Sequence, residues 1–297
     1  MDKSNLEQVL ESGKFAVTAE IGPPMSADSE FVRKKARELK GHVDAVYITD
    51  NQTATVRMSS IAAGLLAAEE GLEPVVQMVC RDRNRIAIQS DLLGAHALGI
   101  RNLLVLSGDH QTFGNHPQSK NVYDVDSTQL IQSLTNLQEN GTFMGGSACK
   151  APPRFFIGGA AHPFADPKEL QIMRMKKKID GGARFITTQS IYNIETFKEW
   201  MKLVRAEGLH ERTYIQAGVC VNKTLKSIQM TKLVAGMDIP DRLLERMEQA
   251  EDRETEGVNI AVELLQEIMT IEGVSGIHIM AIGWESIVPT IIKRLEV

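Results

Sequence analysis

Eight short, nearly continuous apolar runs recur along the 297-residue chain, and their spacing is the strongest constraint on its fold. They are Phe15–Ile21, Ala45–Thr49, Val75–Cys80, Asn102–Leu106, Phe155–Gly158, Phe185–Thr188, Tyr214–Val219 and Gly276–Ile282. Runs that are apolar throughout, rather than alternating, are the pattern of parallel strands covered on both faces. They begin at 15, 45, 75, 102, 155, 185, 214 and 276, and five of the seven intervals are 27–30 residues. Each such interval fits one βα unit. Eight units predict an α/β fold, a (β/α)8 TIM barrel, with residues 1–297 as a single barrel domain carrying a short N-terminal helix. A doubly wound open sheet uses the same local units, but eight even repeats favour the closed barrel.

Helical patterns fill the intervals. Met58, Ile61, Ala62, Leu65 and Leu66 recur at three and four and stop at Gly71; Phe197, Trp200, Met201 and Val204 stop at Gly208. Val258, Ala261, Val262, Leu265 and Met269 form the clearest stripe. The long interval after residue 102 leaves room for a loop (His110–Asp126), a helix and a Gly-rich segment (Gly141–Pro153). The interval after 214 has room for two or three helices.

Composition narrows the class. The chain has 33 Lys+Arg against 38 Asp+Glu, a net charge of -5, which does not favour a nucleic-acid partner. No uncharged apolar run reaches the ~18 residues of a membrane span. The acidic, amphipathic start is unlike a signal peptide. Cys80, Cys149 and Cys220 lie far apart with no CxxC, which predicts a reduced, cytoplasmic setting and no self-contained zinc or Fe–S site. The histidines near strand ends, His110, His116 and His162, match no ligand spacing. The chain lacks GxGxxG, and none of the strand runs contains a lysine, which disfavours a Rossmann dinucleotide site and a Schiff-base aldolase.

In such a barrel, function sits where the strands end. The polar residues there are Glu20, Thr49, Asp50, Asn51, Gln77, Arg81, Ser107, Gly108, Asp109, His110, His162, Gln189, Asn222 and Glu285. Glu20 is the sharpest. A carboxyl inside an apolar strand loses hydration, which favours its protonated form and suits a general acid; an ion pair across the barrel is the structural alternative. Asp109 could stabilise a cation or bind an amino-heterocycle, or bond its own turn. Gln189 could read a planar ligand or cap its strand, and the Lys176–Lys178 run reads as a solvated helix face, with Lys178 the exception.

Four segments, in one register from about Phe15 to Ile292, resemble the methylenetetrahydrofolate reductase family: AEIGPP (Ala19–Pro24), LSGDH (Leu106–His110), HPFADPKELQIMRMKKKIDGGARFITTQ (His162–Gln189) and NIAVELLQEIMTIEGVSGIHIMAI (Asn259–Ile282). The resemblance implies a flavin across the strand ends, FAD or alternatively FMN, and reduction of 5,10-methylenetetrahydrofolate to 5-methyltetrahydrofolate. Glu20 matches the family's general acid, Asp109 its pterin-orienting aspartate and Gln189 its folate-binding glutamine. Thr49, His162 and Lys178 match positions that hold the flavin, with Gly108 and Asp109 beside them. Gln77, Ser107 and Gly158 stand at flavin positions where the family often has His, Arg and Tyr, and Ser190 replaces an aromatic. These departures leave the flavin type and direct reduction by NAD(P)H open. They also admit a partner subunit that delivers electrons. The resemblance further implies a homo-oligomer or a complex with such a partner. The competing expectation is a non-catalytic pterin-binding barrel subunit.

Overall fold

A computed structural model of the protein describes residues 3–234 and 236–296. Eight parallel strands close into a barrel in sequence order, as the spacing predicts. They are β1 (Ala16–Ile21), β2 (Ala45–Ile48), β3 (Pro74–Val79), β4 (Asn102–Leu106), β5 (Phe156–Ala161), β6 (Phe185–Thr188), β7 (Tyr214–Cys220) and β8 (Val274–Met280). The ring closes where Ala16 to Ala19 of β1 pair with Gly276 to Ile279 of β8. The described helices are α1 (Asn5–Glu11), α2 (Ser29–Leu39), α3 (Ser60–Glu69), α4 (Arg85–Ala97), α5 (Ser127–Asn140), α6 (Lys168–Asp180), α7 (Ile194–Ala206), α8 (Leu225–Lys232), α9 (Asp241–Gln249), α10 (Arg253–Met269) and α11 (Val288–Leu295). The long interval after β7 holds three of them. None is long and apolar enough to cross a membrane.

The apolar runs are explained by two cores. Outward residues such as Ala19, Ile21, Val46, Ile48, Val76 and Met78 pack beneath the helices in the larger one. Inward residues Ala16, Ala45, Val75, Leu104, Phe156 and Phe185 form a smaller core at the lower end of the barrel. Helix α1 stoppers that end: Leu6 and Leu10 are buried in the inner cluster. Ser4 caps α1 by accepting from the Glu7 amide, and Glu73 accepts the amides of Asn5 and Leu6. Glu7 is itself buried and paired with Arg154 at 2.7 Å. A leucine this deeply placed is worth much to stability. Leu6→Ala is expected to cost about 2–5 kcal/mol in urea unfolding; a loss under about 1 kcal/mol would show that the stopper is loosely held.

Candidate active site at the carboxyl ends of the strands

Side chains alternate along a strand, so Thr18 and Glu20 share the inner face of β1. Glu20 stands near the mouth, its side chain 11% exposed. Two neighbours reach its Oε2: Gln77 of β3 donates from Nε2 at 3.5 Å, and His278 Nε2 of β8 lies at 3.7 Å. No Lys or Arg pairs with Glu20 among the described residues. Below lies a buried polar layer: Thr18, Tyr47, Thr187, Gln216 and His278. Thr18 Oγ1 is 3.1 Å from His278 Nδ1 and donates toward Gln216 Oε1 at 3.1 Å or the Ile277 carbonyl at 3.0 Å. The Tyr47 hydroxyl donates to Gln216 at 3.1 Å, with Thr187 Oγ1 2.8 Å away.

The five residues of this layer are inconspicuous in the sequence, because each lies inside a mainly apolar run. The available signal is parity: Thr18 precedes Glu20 by two positions, and His278 breaks the apolar GIHIMAI run.

Asp109 is exposed at the top of β4, and its Oδ2 accepts the backbone N–H of Thr53 at 3.0 Å. It thereby holds the loop after β2, where Asn51, Thr53 and Ala54 all have positive φ (45°, 54° and 54°), a costly conformation for non-glycine residues. Gly114 presses on the same loop: a Cβ there would sit 1.7 Å from the Ala54 carbonyl oxygen. The buried Arg81 braces both loops, donating to the carbonyls of Asp109 (2.9 Å) and Asn51 (3.2 Å) while paired with Asp82 at 2.6 Å. A cavity of about 280 Å³ opens here, lined by Asn51, Val56, Arg81, Asp82, Gln111 and His116 among others.

The remaining predicted residues divide into two groups. On the β5–β6 side, Lys178 of α6 reaches over β5 and donates to the Ala160 carbonyl at 2.5 Å. Burial pushes its amine down to about 8, and the Arg174 cation acts in the same sense. His162 follows β5, held below its ordinary value by burial and then by the Lys178 and Arg174 cations. Gln189, just past β6, is half-buried, and its side-chain amide has no partner among the described residues. The other group is engaged within the protein. The Thr49 hydroxyl donates to Gln52 at 2.5 Å, and Ser107 bonds Ser127 at 3.3 Å. Gly158 lies inside the barrel, where a Cβ would meet the Phe185 ring at 2.1 Å. Gly108 has φ +88°, and a Cβ there would press on Val79 at 3.1 Å and Arg81 at 3.2 Å. Asp50 is structural: its fully buried carboxylate accepts from the Val79 amide and from Arg83.

Lys178 makes a pH prediction. The folded amine titrates at about 8 and an ordinary lysine at 10.5. Between those values the unfolded chain binds more protons, so stability from this site rises with pH across that window. Below about 8 the buried cation costs stability, up to about 3 kcal/mol. Lys178→Met is therefore expected to stabilise the unliganded protein at pH 7 and to flatten the rise toward pH 10 in urea unfolding. An unchanged slope would count against the burial argument.

The face combines apolar and polar side chains. Exposed Met25, Val56, Phe113 and Ile282 stand on the loops after β1, β2, β4 and β8. The donors Lys178, His162 and Gln189 stand on the far side. Among the described residues no group of three or more His, Cys, Asp or Glu could hold a metal ion.

The family model for methylenetetrahydrofolate reductase matches residues 5–296. The chain belongs to the methylenetetrahydrofolate reductase family. Methylenetetrahydrofolate reductase 2 of Saccharomyces cerevisiae is 25% identical over 257 residues, covering 81% of this chain and 40% of that protein. The chain thus spans about two fifths of the length of that relative. The 5,10-methylenetetrahydrofolate reductase of Pectobacterium carotovorum subsp. carotovorum is 24% identical over 274 residues, covering 90% of this chain and 85% of that protein. Among solved structures, a Clostridium thermocellum protein that binds two copies of 5-methyl-5,6,7,8-tetrahydrofolic acid superposes with a TM-score of 0.70 at 16% identity. It covers 99% of this chain and 98% of its own, which shows a shared fold.

Proposed function

We propose that the chain reduces 5,10-methylenetetrahydrofolate to 5-methyltetrahydrofolate, a bound reduced flavin supplying the hydride. Membership of the family supports this reading. The observation that carries it is Glu20: a carboxyl on the inner wall of the barrel, near the mouth, with the Gln77 amide and the His278 imidazole aimed at one oxygen. Protonated Glu20 gives its proton to the folate nitrogen that leaves the methylene carbon, opening the five-membered ring. Gln189 pairs with the folate through its amide. Asp109 orients the pterin and stabilises the cation through Oδ1, while its Oδ2 keeps the Thr53 amide. Lys178 and His162 would hold the flavin from the β5 side, and Gly108 lets the end of β4 pack closely on Val79 and Arg81. Thr49, Gln77, Ser107 and Gly158 contribute through the packing of the walls rather than through free polar groups, save the Gln77 contact with Glu20.

The test is an anaerobic visible spectrum of the purified protein, reduced chemically and then mixed with methylenetetrahydrofolate. A yellow protein that bleaches and is reoxidised by the folate supports the reading, and chromatography of the released flavin distinguishes FAD from FMN. NADH and NADPH are then tried as reductants, and failure of both assigns that role to a partner subunit. A protein that stays colourless and inert after FAD or FMN is supplied overturns the flavoenzyme reading and favours a pterin-binding subunit.

A further inference from the structure

The loop after β2, residues 51–58, reaches both candidate carboxyls of the mouth. On one side Gln52 lies over the end of β1: a Cβ on Gly22, two residues past Glu20, would stand 3.2 Å from Gln52 Oε1. The same loop ties down the chain beyond Gly22. Arg57 donates to the Pro23 carbonyl at 2.9 Å, and the Met58 amide donates to the Pro24 carbonyl at 2.9 Å. On the other side the very next residue after Gln52, Thr53, gives its backbone N–H to Asp109 Oδ2 at 3.0 Å. Consecutive residues of one loop thus touch the end of the Glu20 strand and the Asp109 carboxylate. The loop does so in a conformation that it would not choose alone. Asn51, Thr53 and Ala54 have φ of 45°, 54° and 54°, and such backbone persists only where its surroundings over-determine it.

The loop after β4 supplies those surroundings. Gly114 has φ −102°, a backbone that any residue adopts. Glycine is required there by contact alone: a Cβ would stand 1.7 Å from the Ala54 carbonyl oxygen and 2.3 Å from the carbon that bears it. The next residue, Asn115, accepts the Val56 amide through Oδ1 at 3.1 Å. We propose that residues 51–58 form a strut that sets the spacing between Glu20 and Asp109, and that Gly114 and Asn115 are positioning residues that keep the strut in place. The Thr53 amide engages one oxygen of Asp109 and so restrains the rotation of the carboxylate, which directs the other oxygen. Gln52 and its neighbours hold the end of β1 at the same time. Two groups that act on one ligand in one step are sensitive to their separation, and a misplacement of about 1 Å can cost roughly a hundred-fold in rate. The kinetic part of this proposal rests on the roles proposed for Glu20 and Asp109; the strut itself does not.

The test therefore has two readouts. The first is amide hydrogen exchange in the intact, unliganded protein, resolved to single amides across residues 51–58. The wild type should protect the Thr53 and Val56 amides, and Gly114→Ala should speed the exchange of both by about ten-fold or more. Asn115→Ala removes an acceptor and adds no atoms; it should speed Val56 and carry Thr53 with it. A Thr53 amide that exchanges as in wild type in both variants overturns the strut, whatever the reaction is. The second readout is the folate half-reaction of chemically reduced protein. In Gly114→Ala the rate at saturating methylenetetrahydrofolate should fall roughly ten- to a hundred-fold, while the concentration giving half that rate moves by less than about three-fold. The spectrum of the bound flavin should be retained. The same substitution made on Asp109→Ala should cost little more, because the group it positions is already gone. An equal loss in both backgrounds, or a change confined to the half-saturating concentration, overturns the positioning role. Wild-type protein with no folate reduction but with the expected exchange pattern would sink the functional reading and leave the strut standing.

Discussion

Glu20→Gln is expected to retain flavin and folate binding while losing folate reduction by about two to four orders of magnitude, the range a positioned general acid contributes. The substitution preserves volume and keeps a hydrogen-bonding partner for Gln77, so the barrel wall should be undisturbed. It removes the one proton that ring opening needs. The measurement is the rate at which methylenetetrahydrofolate reoxidises chemically reduced protein under anaerobic conditions. The spectrum of the bound flavin serves as the control for the site's integrity. Turnover within a few-fold of wild type would dismiss Glu20 as the acid and return the role to Asp109 or to solvent.

The second large effect concerns stability, at a residue that the strand-end position alone would nominate for chemistry. Asp50 has a fully buried carboxylate that accepts from the Val79 amide at 3.0 Å and from the Arg83 guanidinium at 2.6 and 3.2 Å. Asp50→Ala leaves the buried Val79 amide without a partner and strips the half-buried Arg83 of its main one at the junction of β2 and β3. Removing one member of a buried pair costs about 3–5 kcal/mol, a large share of the stability of an ordinary domain. Urea unfolding should show it directly. A shift below about 1 kcal/mol would mean that Arg83 finds Asp91, 3.0 Å from its Nε, or water at little cost.

The barrel was legible in the chain because each strand is buried on both faces and so carries no polar alternation, and because the intervals between runs repeat. The motif residues Glu20, Asp109, Gln189 and His162 fall at the predicted end of the barrel for the same reason, whereas Lys178 reaches β5 from the last turn of α6. What a linear reading misses is partnership across the barrel. Asp50 and Asp109 look alike in sequence, each a polar residue past an apolar run. One is tied into the wall, and the other latches a neighbouring loop from an exposed position. Tyr47, Gln216 and His278 come from β2, β7 and β8, and nothing local in their segments announces that they meet. The resemblance puts Gly158 at a flavin position, yet the space beside it is taken by Phe185, a side chain from the next strand.

The stopper formed by α1 has a consequence for how the site exchanges protons. With Leu6, Leu10, Phe156 and Phe185 sealing the lower end, the polar layer is a vessel with a single opening. Ligands that cover the mouth also isolate its contents from bulk water. The proton that Glu20 passes to the folate is then replaced from solvent only after a product leaves. A change of pH imposed on the closed complex should therefore be felt only in the next turnover.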